Sequence, residues 1–438
     1  MRTLSREILF SLTVLPSVVG CGGDPGNSQP NVILISLDTL RADRLSTYGY
    51  VRDTSPNIDA LAKEGVVFEH AFAEAPWTLP SHVTMLTGLY PATHGANLPS
   101  RILTEDTSTL AEALNGAGYS TVGLTEGGFI GYAYGFSKGF DTYSENRPDL
   151  DTTLETVRQM LPELRAAGPF FLFLHTFDIH CPYEPPAAHE RLFRTYDEDP
   201  IEFRGTCGSD FNALELTAGQ ISAISNRYDA GIHSVDALLG TFLSELESEG
   251  ILDNTFVILT SDHGEQLYEH GRIGHERSVN REVLHVPWIV CGPEVVPRRI
   301  TAPVGLVDMT PTILDLVGLG PLEGNEGESR APWLRGEAVP SAAEEAPRFS
   351  QLTWRLNLQS VMTKKNQLII DPRSDETTLF EFPSPSAETR LQSGSYLERE
   401  LREALDEHLD RASPREASER RELDTEETER LKTLGYGH

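Results

Sequence analysis

Asp38 stands directly after the apolar run Asn31-Val32-Ile33-Leu34-Ile35-Ser36-Leu37, and Asp262-His263-Gly264 stands just after a second run, residues 255–259. Each run is short and continuous, the pattern of a parallel strand buried on both faces. In an open α/β sheet the carboxyl ends of parallel strands share one edge, and ligands bind there. Two carboxylates and an imidazole, far apart in sequence, therefore converge on one point. A single acidic residue at a strand end is as readily a turn former or a helix cap. A matched pair of strand ends points instead to a metal site. Such an oxygen-rich set suits one divalent cation, calcium, magnesium or manganese, and His263 admits zinc.

Thr78 supplies a third element. It precedes Leu79-Pro80-Ser81, and Val83, Met85 and Leu86 read as the buried side of a helix. Threonine at a helix start is commonly a plain N-cap. The same position also exposes backbone N–H groups and a positive dipole end to an incoming anion. A hydroxyl is a poor nucleophile at neutral pH until a base or a metal lowers its pKa. A cation held by Asp38, Asp262 and His263 against the Thr78 oxygen would serve that purpose.

The elements that must position these residues alternate in type. Further strands are expected at 120–124, 169–174 and 286–291, with helices at 107–115, 150–167 and 214–249 and one opened by Ser55-Pro56. Serine before proline is a helix-start signature. This βαβ rhythm predicts an α/β fold, a large mostly parallel sheet sandwiched by helices. Beyond about residue 340 the pattern changes to short antiparallel strands at 350–356, 359–363, 366–370 and 377–382, then a helix at 396–409. The expected organisation is a catalytic domain over 31–340, a smaller C-terminal sheet subdomain over 341–410, and a charged linker with a terminal helix over 411–438.

The chain ends and the charge set outer limits. Arg2 and Arg6 precede an apolar run, 8–19, too short to span a bilayer and suited to a signal peptide. Val18-Val19-Gly20-Cys21 resembles a bacterial lipobox, with Cys21 as the lipidated residue; a non-lipidated signal is the alternative. This predicts a signal peptide over 1–20, a tether over 21–30, and an exported lipoprotein anchored in the periplasm or at the cell surface. The formal charge of −30 argues against nucleic acid, whose backbone needs basic contacts. Cys181 and Cys207 flank a loop-rich stretch and, in an exported protein, are candidates for a disulfide; Cys291 reads as a buried thiol.

Trp77-Thr78-Leu79-Pro80-Ser81-His82, running on into Met85-Leu86-Thr87-Gly88, resembles the nucleophile motif of the sulfatase family, C/S-x-P-S-R followed by L-x-T-G. Leu37-Asp38-Thr39-Leu40-Arg41-Ala42-Asp43 and Thr260-Ser261-Asp262-His263-Gly264-Glu265 are similar to its two metal-binding segments. Asp178-Ile179-His180-Cys181-Pro182-Tyr183 looks like its D-P-H-x-P-Y loop, and Val307-Asp308-Met309-Thr310-Pro311 matches a further landmark. The likeness extends from about Asn31 to the C-terminus.

That resemblance implies the alkaline phosphatase superfamily fold, a metal held by Asp38, Thr78, Asp262 and His263, and Thr78 at the nucleophile position. It places His180 and His275 where relatives touch the transferred group's oxygens, His275 replacing a common lysine; a hydrogen-bonded structural role is the alternative for both. Three departures stand out. Thr78 cannot become formylglycine, Thr39 stands where many sulfatases have a second aspartate, and His82, a candidate catalytic residue with Thr78, His180 and His275, replaces the motif's arginine. Threonine nucleophiles are typical of the nucleotide pyrophosphatase/phosphodiesterase and lipoteichoic-acid-synthase branches, which move phosphoryl groups through phosphothreonine. A second zinc would need another Asp/His/His set, for which Asp178, His180 and His275 are on hand. The expected function is metal-dependent hydrolysis or transfer of sulfate or phosphate esters, phosphate favoured. The expected substrate is a sulfated or phosphorylated glycan, lipid or small molecule. The alternatives are a sulfuric ester hydrolase working without formylglycine and a non-catalytic lipoprotein binding an anionic glycan.

Overall fold

The computed structural model describes residues 29–145, 148–201, 215–384, 387–415, 418–419 and 422–434. The lipobox with Cys21 and also Cys207 lie outside the described residues, whereas Cys181 is disulfide-bonded. No described helix is long and apolar enough to cross a membrane.

The large sheet is built from β1 (Asn31–Leu37), β2 (Val66–Phe68), β3 (Ser120–Leu124), β4 (Thr142–Ser144), β5 (Phe170–Thr176), β6 (Thr255–Thr260), β7 (Trp288–Cys291) and β8 (Arg298–Ile300). In space the order is β8-β2-β7-β6-β1-β5-β3-β4. The neighbours β6, β1, β5, β3 and β4 run parallel, while β7 opposes both β6 and β2. The expected mostly parallel sheet is thus present, with one reversed strand. Every residue of β5 and β6 is buried, as in a sheet covered on both faces.

Alternation along the strands divides the core in two. Val32 and Leu34 of β1, Phe171 and Phe173 of β5, and Phe256 and Ile258 of β6 join one apolar cluster. Ile33, Ile35 and Leu37, with Phe170, Leu172, Leu174, Val257 and Leu259, join the other. Helices α1 (Pro56–Lys63), α3 (Leu150–Ala167) and α4 (Ala218–Ser248) contribute to the second cluster, whereas α2 (Thr78–Thr87) and α5 (Met309–Leu316) contribute to the first. All ten residues of α2 are buried, so this helix is part of the core rather than a cover.

A five-stranded antiparallel sheet follows: β9 (Arg348–Leu352), β10 (Leu358–Met362), β11 (Asn366–Asp371), β12 (Glu376–Ser384) and β13 (Ala387–Arg390), adjacent in chain order. Helix α6 (Tyr396–Arg411) packs Leu401 and Leu405 onto Val361, Leu368 and Leu379 of that sheet.

Several expected boundaries differ for local reasons. The run 286–291 divides into His285–Val286, paired with Ala71–Phe72, and β7, because Pro287 between them has no N–H for a ladder. The helix expected from 107 begins at Leu110, where Thr109 and Glu112 form a capping box. β13 lacks apolar alternation, so nothing in its sequence marked it as a strand. Within 411–424, expected to be a solvated linker, Ser418–Glu419 pairs antiparallel with Arg101–Ile102, and the Arg415 N–H donates to Thr93 O.

Candidate active site

Strand alternation places the chemistry. Ser36 and Asp38 continue the β1 face of Val32 and Leu34, His175 continues the β5 face of Phe171 and Phe173, and Asp262 continues that of Phe256 and Ile258. All three strand ends therefore turn toward α2, which lies on that face and begins at Thr78. The register sets Ser36 opposite His175 and Thr260, so the ends are level.

Thr78 is the first helical residue, with Trp77 before it at the cap position. Its hydroxyl does not cap the helix; Oγ1 stands 3.4 Å from Asp38 Oδ2. The turn after Asp38 is fastened from elsewhere. Tyr228 of α4 donates its hydroxyl to Thr39 O and accepts from the Arg41 N–H, and Ser261 Oγ accepts from the Leu40 N–H. Thr39 sits in the left-handed region, φ 59°, a conformation costing about 1–2 kcal/mol for a residue with a β-carbon. Those three bonds and the Thr39 hydroxyl, which donates to Asp38 O, hold it there.

Asp38, Asp262 and His263 form one fully buried group whose ligating atoms lie within 4.8 Å of one another. Asp38 Oδ1, both Asp262 carboxylate oxygens and His263 Nε2 are buried without a hydrogen-bond partner. Burial first, with the neighbouring carboxylate for Asp262, pushes both acids up to about 7. Burial likewise lowers His263 to about 4. The His263 Nδ1 donates to Gly264 O at 2.9 Å, so the neutral ring turns a lone pair on Nε2 toward Asp262 Oδ2, 3.3 Å away. Unpaired buried oxygens facing an imidazole lone pair are the donor set of a divalent cation. The residues present fit the ion that the sequence calls for.

Beneath this group lie His82 and His175. His82 Nδ1 donates to Thr78 O at 2.9 Å, and its Nε2 accepts from Ser36 Oγ at 3.0 Å. Its ring supports the helix turn that carries Thr78. His175 Nε2 donates to Asp38 Oδ2 at 3.3 Å. Burial lowers both histidines to about 3, so each is neutral.

His180 and His275 lie on the other side of His263, the ring centroids of His263 and His275 being 4.3 Å apart and those of His180 and His275 5.4 Å. Their acidic companion is Glu265: His180, Glu265 and His275 form a second buried group within 4.8 Å. Asp178, the acid that adjacency to His180 suggested, turns away. Its carboxylate accepts the Leu150 N–H at the start of α3. Sequence reasoning missed Glu265, Ser36 and His175. His175 carried one signal, as the sole basic residue in the apolar stretch Phe170–Thr176.

A doubly covered α/β sheet with a buried helix start and carboxylate–imidazole groups at its carboxyl edge is the architecture of an alkaline phosphatase-like ester hydrolase. The sequence model of the Sulfatase family matches residues 30–319, and the chain belongs to that family. Arylsulfatase K of Xenopus laevis is 25% identical over 382 residues, covering 74% of this chain and 70% of the relative. A solved structure of a protein in complex with its substrate D-glucosamine-2-N,6-O-disulfate superposes with a TM-score of 0.74 at 19% identity, over 87% of this chain and 98% of that one. The phosphonate monoester hydrolase of Agrobacterium radiobacter superposes with a TM-score of 0.70 at 21% identity, over 87% and 95%. Enzymes of this family hydrolyse esters, typically with a divalent metal ion, and this chain has groups that can hold one.

Proposed function

We propose that this chain is a divalent-cation-dependent hydrolase of anionic esters, acting on phosphate in preference to sulfate, with Thr78 Oγ1 as the nucleophile. The placement of that hydroxyl carries the reading: it opens a buried helix and stands 3.4 Å from Asp38 Oδ2, beside the unpaired oxygens of Asp262. Asp38, Thr78, Asp262 and His263 would hold the cation, which when bound lowers the hydroxyl pKa and neutralises charge on the ester.

The chain's own groups supply the remainder. Asp38 Oδ2 orients the Thr78 hydroxyl, and His82 fixes the carbonyl of the same residue. The start of α2 directs backbone N–H groups at the anion. As the Thr78 Oγ1–P bond forms, the bond from phosphorus to the leaving oxygen breaks. The hydroxyl proton passes to Asp38 Oδ2, which already accepts it at 3.4 Å, and the departing alcohol takes a proton from water. Water then cleaves the threonine ester and restores the hydroxyl. Threonine carries a methyl on its β-carbon and cannot be oxidised to the aldehyde of formylglycine, which favours this route over the usual sulfatase chemistry. Sulfate esters are the second reading, favoured by the names of the sulfatase relatives. The sulfated glucosamine of one neighbour and the phosphonate monoester of another support a small anionic ester as substrate, a sulfated or phosphorylated glycan among them.

The test uses the full chain, stripped of metal and reloaded with calcium, magnesium, manganese or zinc, against aryl phosphate, phosphodiester, phosphonate and sulfate esters. Phosphoester turnover lost in Thr78→Ala, with a phosphothreonine peptide trapped from the wild type, supports the reading. Turnover of sulfate alone overturns the phosphate preference. Metal binding without turnover of any ester makes the chain a binding protein.

We also infer export and lipid anchoring through Cys21, supported by the apolar run 8–19 and the lipobox pattern. Incorporation of labelled palmitate into the expressed protein, absent in Cys21→Ser, is the expected result; equal labelling of both would remove the anchor.

A further inference from the structure

We propose that the cavity walled by Arg281, where the catalytic domain meets the small C-terminal sheet, binds a hydroxylated carboxylate with the chemistry of an acidic sugar, apart from the Thr78 pocket. The inference rests on the groups of this cavity and not on the ester-hydrolase reading.

The first argument is an unspent guanidinium. Arg281 opens the short helix Arg281–Leu284 and is only 7% exposed. It stacks on Phe382 of β12, with Cζ 4.6 Å from the ring centroid. Stacking uses a face of the guanidinium and leaves its in-plane N–H groups for another partner. Among the described residues Nε is buried with no hydrogen-bond partner, and Arg281 forms no ion pair. Asp43, Glu282 and Glu388 act on it only across space. The other two arginines of the cavity are taken, Arg41 by Asp43 and Glu269 and Arg44 by Asp229. Burying a guanidinium without a partner is costly, whereas an oxyanion in its plane accepts two parallel N–H bonds.

The second argument is the acceptor beside it. Glu282 lines the same cavity; its Oε1 takes His270 Nε2 at 3.3 Å, and its Oε2 is buried with no partner. Glu388 of β13 lies 3.9 Å from the same imidazole. A carboxylate oxygen accepts only, so a ligand must bring a donor to Glu282 as well as an anion to Arg281. A carboxylate with neighbouring hydroxyls brings both. The two glutamates also decide against a bare dianion such as inorganic phosphate: Arg281 offsets one added charge, and a second would face carboxylates. The cavity volume, about 370 Å³, is that of a small-molecule site, and such sites favour the seam between two parts of a chain.

The third argument is separation from the chemistry. Asp38, Thr78, Asp262 and His263 do not line this cavity. Its wall joins the metal-ligand loop through that loop's backbone, the Gly264 N–H donating to Val283 O and Arg41 Nη1 to Glu265 O.

The full chain is titrated by isothermal calorimetry with D-glucuronate, D-glucose and inorganic phosphate. Glucuronate should bind and glucose should not. Arg281→Gln and Arg281→Met should each weaken glucuronate by roughly 10- to 100-fold, the loss of hydrogen bonds to a charged group. Circular dichroism checks that the variants fold. Hydrogen exchange of the wild type needs no variant, and bound glucuronate should slow exchange over residues 281–284. No glucuronate binding, equal binding by a folded variant, or protection at residues 78–82 in place of 281–284 overturns the proposal. Phosphate binding tighter than glucuronate, and lost in the variants, overturns the carboxylate assignment.

Discussion

Thr78 Oγ1 and His175 Nε2 meet at the same atom, Asp38 Oδ2, at 3.4 and 3.3 Å. That oxygen is thus held between a hydroxyl above and a neutral imidazole below, while Oδ1 has no hydrogen-bond partner. The carboxylate is oriented by its surroundings without being neutralised by any of them.

Thr78→Val tests what the hydroxyl contributes beyond shape. Valine fills the same volume and removes one weak hydrogen bond, so stability should change by only about 0.5–1.5 kcal/mol. Turnover should fall by about 10³-fold or more, because the variant removes the hydroxyl proposed to form the covalent ester. Thr78→Ser should keep measurable activity. Urea melts beside initial rates separate the two effects, and a valine variant with near-normal rates would remove Thr78 from the chemistry.

His82→Ala removes the ring that links Ser36 Oγ to Thr78 O in a fully buried place. The cavity and the stranded Ser36 hydroxyl should together cost about 2–4 kcal/mol. His82 is read as a positioning residue, because both its ring nitrogens are engaged, one by Ser36 Oγ and the other by Thr78 O. The variant should therefore lower kcat with KM little changed, and His82→Asn, which keeps a polar group there, should recover part of kcat. A rise in KM alone would place His82 in substrate binding instead.

The site was legible where strand periodicity reaches it. Asp38 and Asp262 follow continuous apolar runs, and the rule that parallel strand ends share an edge brought them together. Thr78 was marked by the apolar positions after it. Glu265 was hidden because an acid in a Gly-Glu turn reads as solvated, and its burial depends on elements distant in sequence. Asp178 misled for the converse reason. Adjacency to His180 suggested a shared site, whereas the turn after β5 sends the two side chains apart. In the fold, β13 carries no apolar alternation to announce it, and Pro287 divides a run that hydrophobicity alone joins.

Gly264 tests how closely the metal-ligand loop is packed. A β-carbon there would lie 2.0 Å from Glu282 O and 3.1 Å from Arg41 Cγ. The first contact is with backbone and cannot be relieved by a rotamer change. The Gly264 N–H also donates to Val283 O, and its carbonyl holds His263 Nδ1, so displacement moves a ligand. Gly264→Ala should cost about 1–3 kcal/mol and weaken metal binding. Isothermal titration with manganese beside a thermal melt checks both. An unchanged melt would mean that the loop yields more easily than its contacts imply.

Glu74 and Asp308 occupy one buried region yet should respond to pH in opposite directions. Burial would raise Asp308, but Arg348 and Arg330 outweigh it and hold its carboxyl below the usual range. Its Oδ2 is 2.9 Å from Arg330 Nη2, both side chains almost fully buried. Burial raises Glu74 well above the carboxylate range, and the Asp308 charge adds to that. A depressed carboxyl contributes stability that is complete above the unfolded value of about 3.9 and is lost as pH falls through the folded value. A raised one does the reverse: folding is increasingly penalised as pH rises past the unfolded value of about 4.3 toward the folded one. Asp308→Asn should therefore destabilise by about 3–5 kcal/mol at pH 7, since it removes the buried charge facing Arg330 and Arg348 and leaves Arg330 only the exposed carboxylate of Glu328. That difference should narrow as the pH falls below about 3.9. Glu74→Gln should be close to neutral near pH 4 and stabilising at pH 7. Urea midpoints of the two variants and the wild type at pH 4, 5.5 and 7 measure both trends, and parallel lines for Glu74→Gln and the wild type would show that Glu74 is ionised in the folded protein.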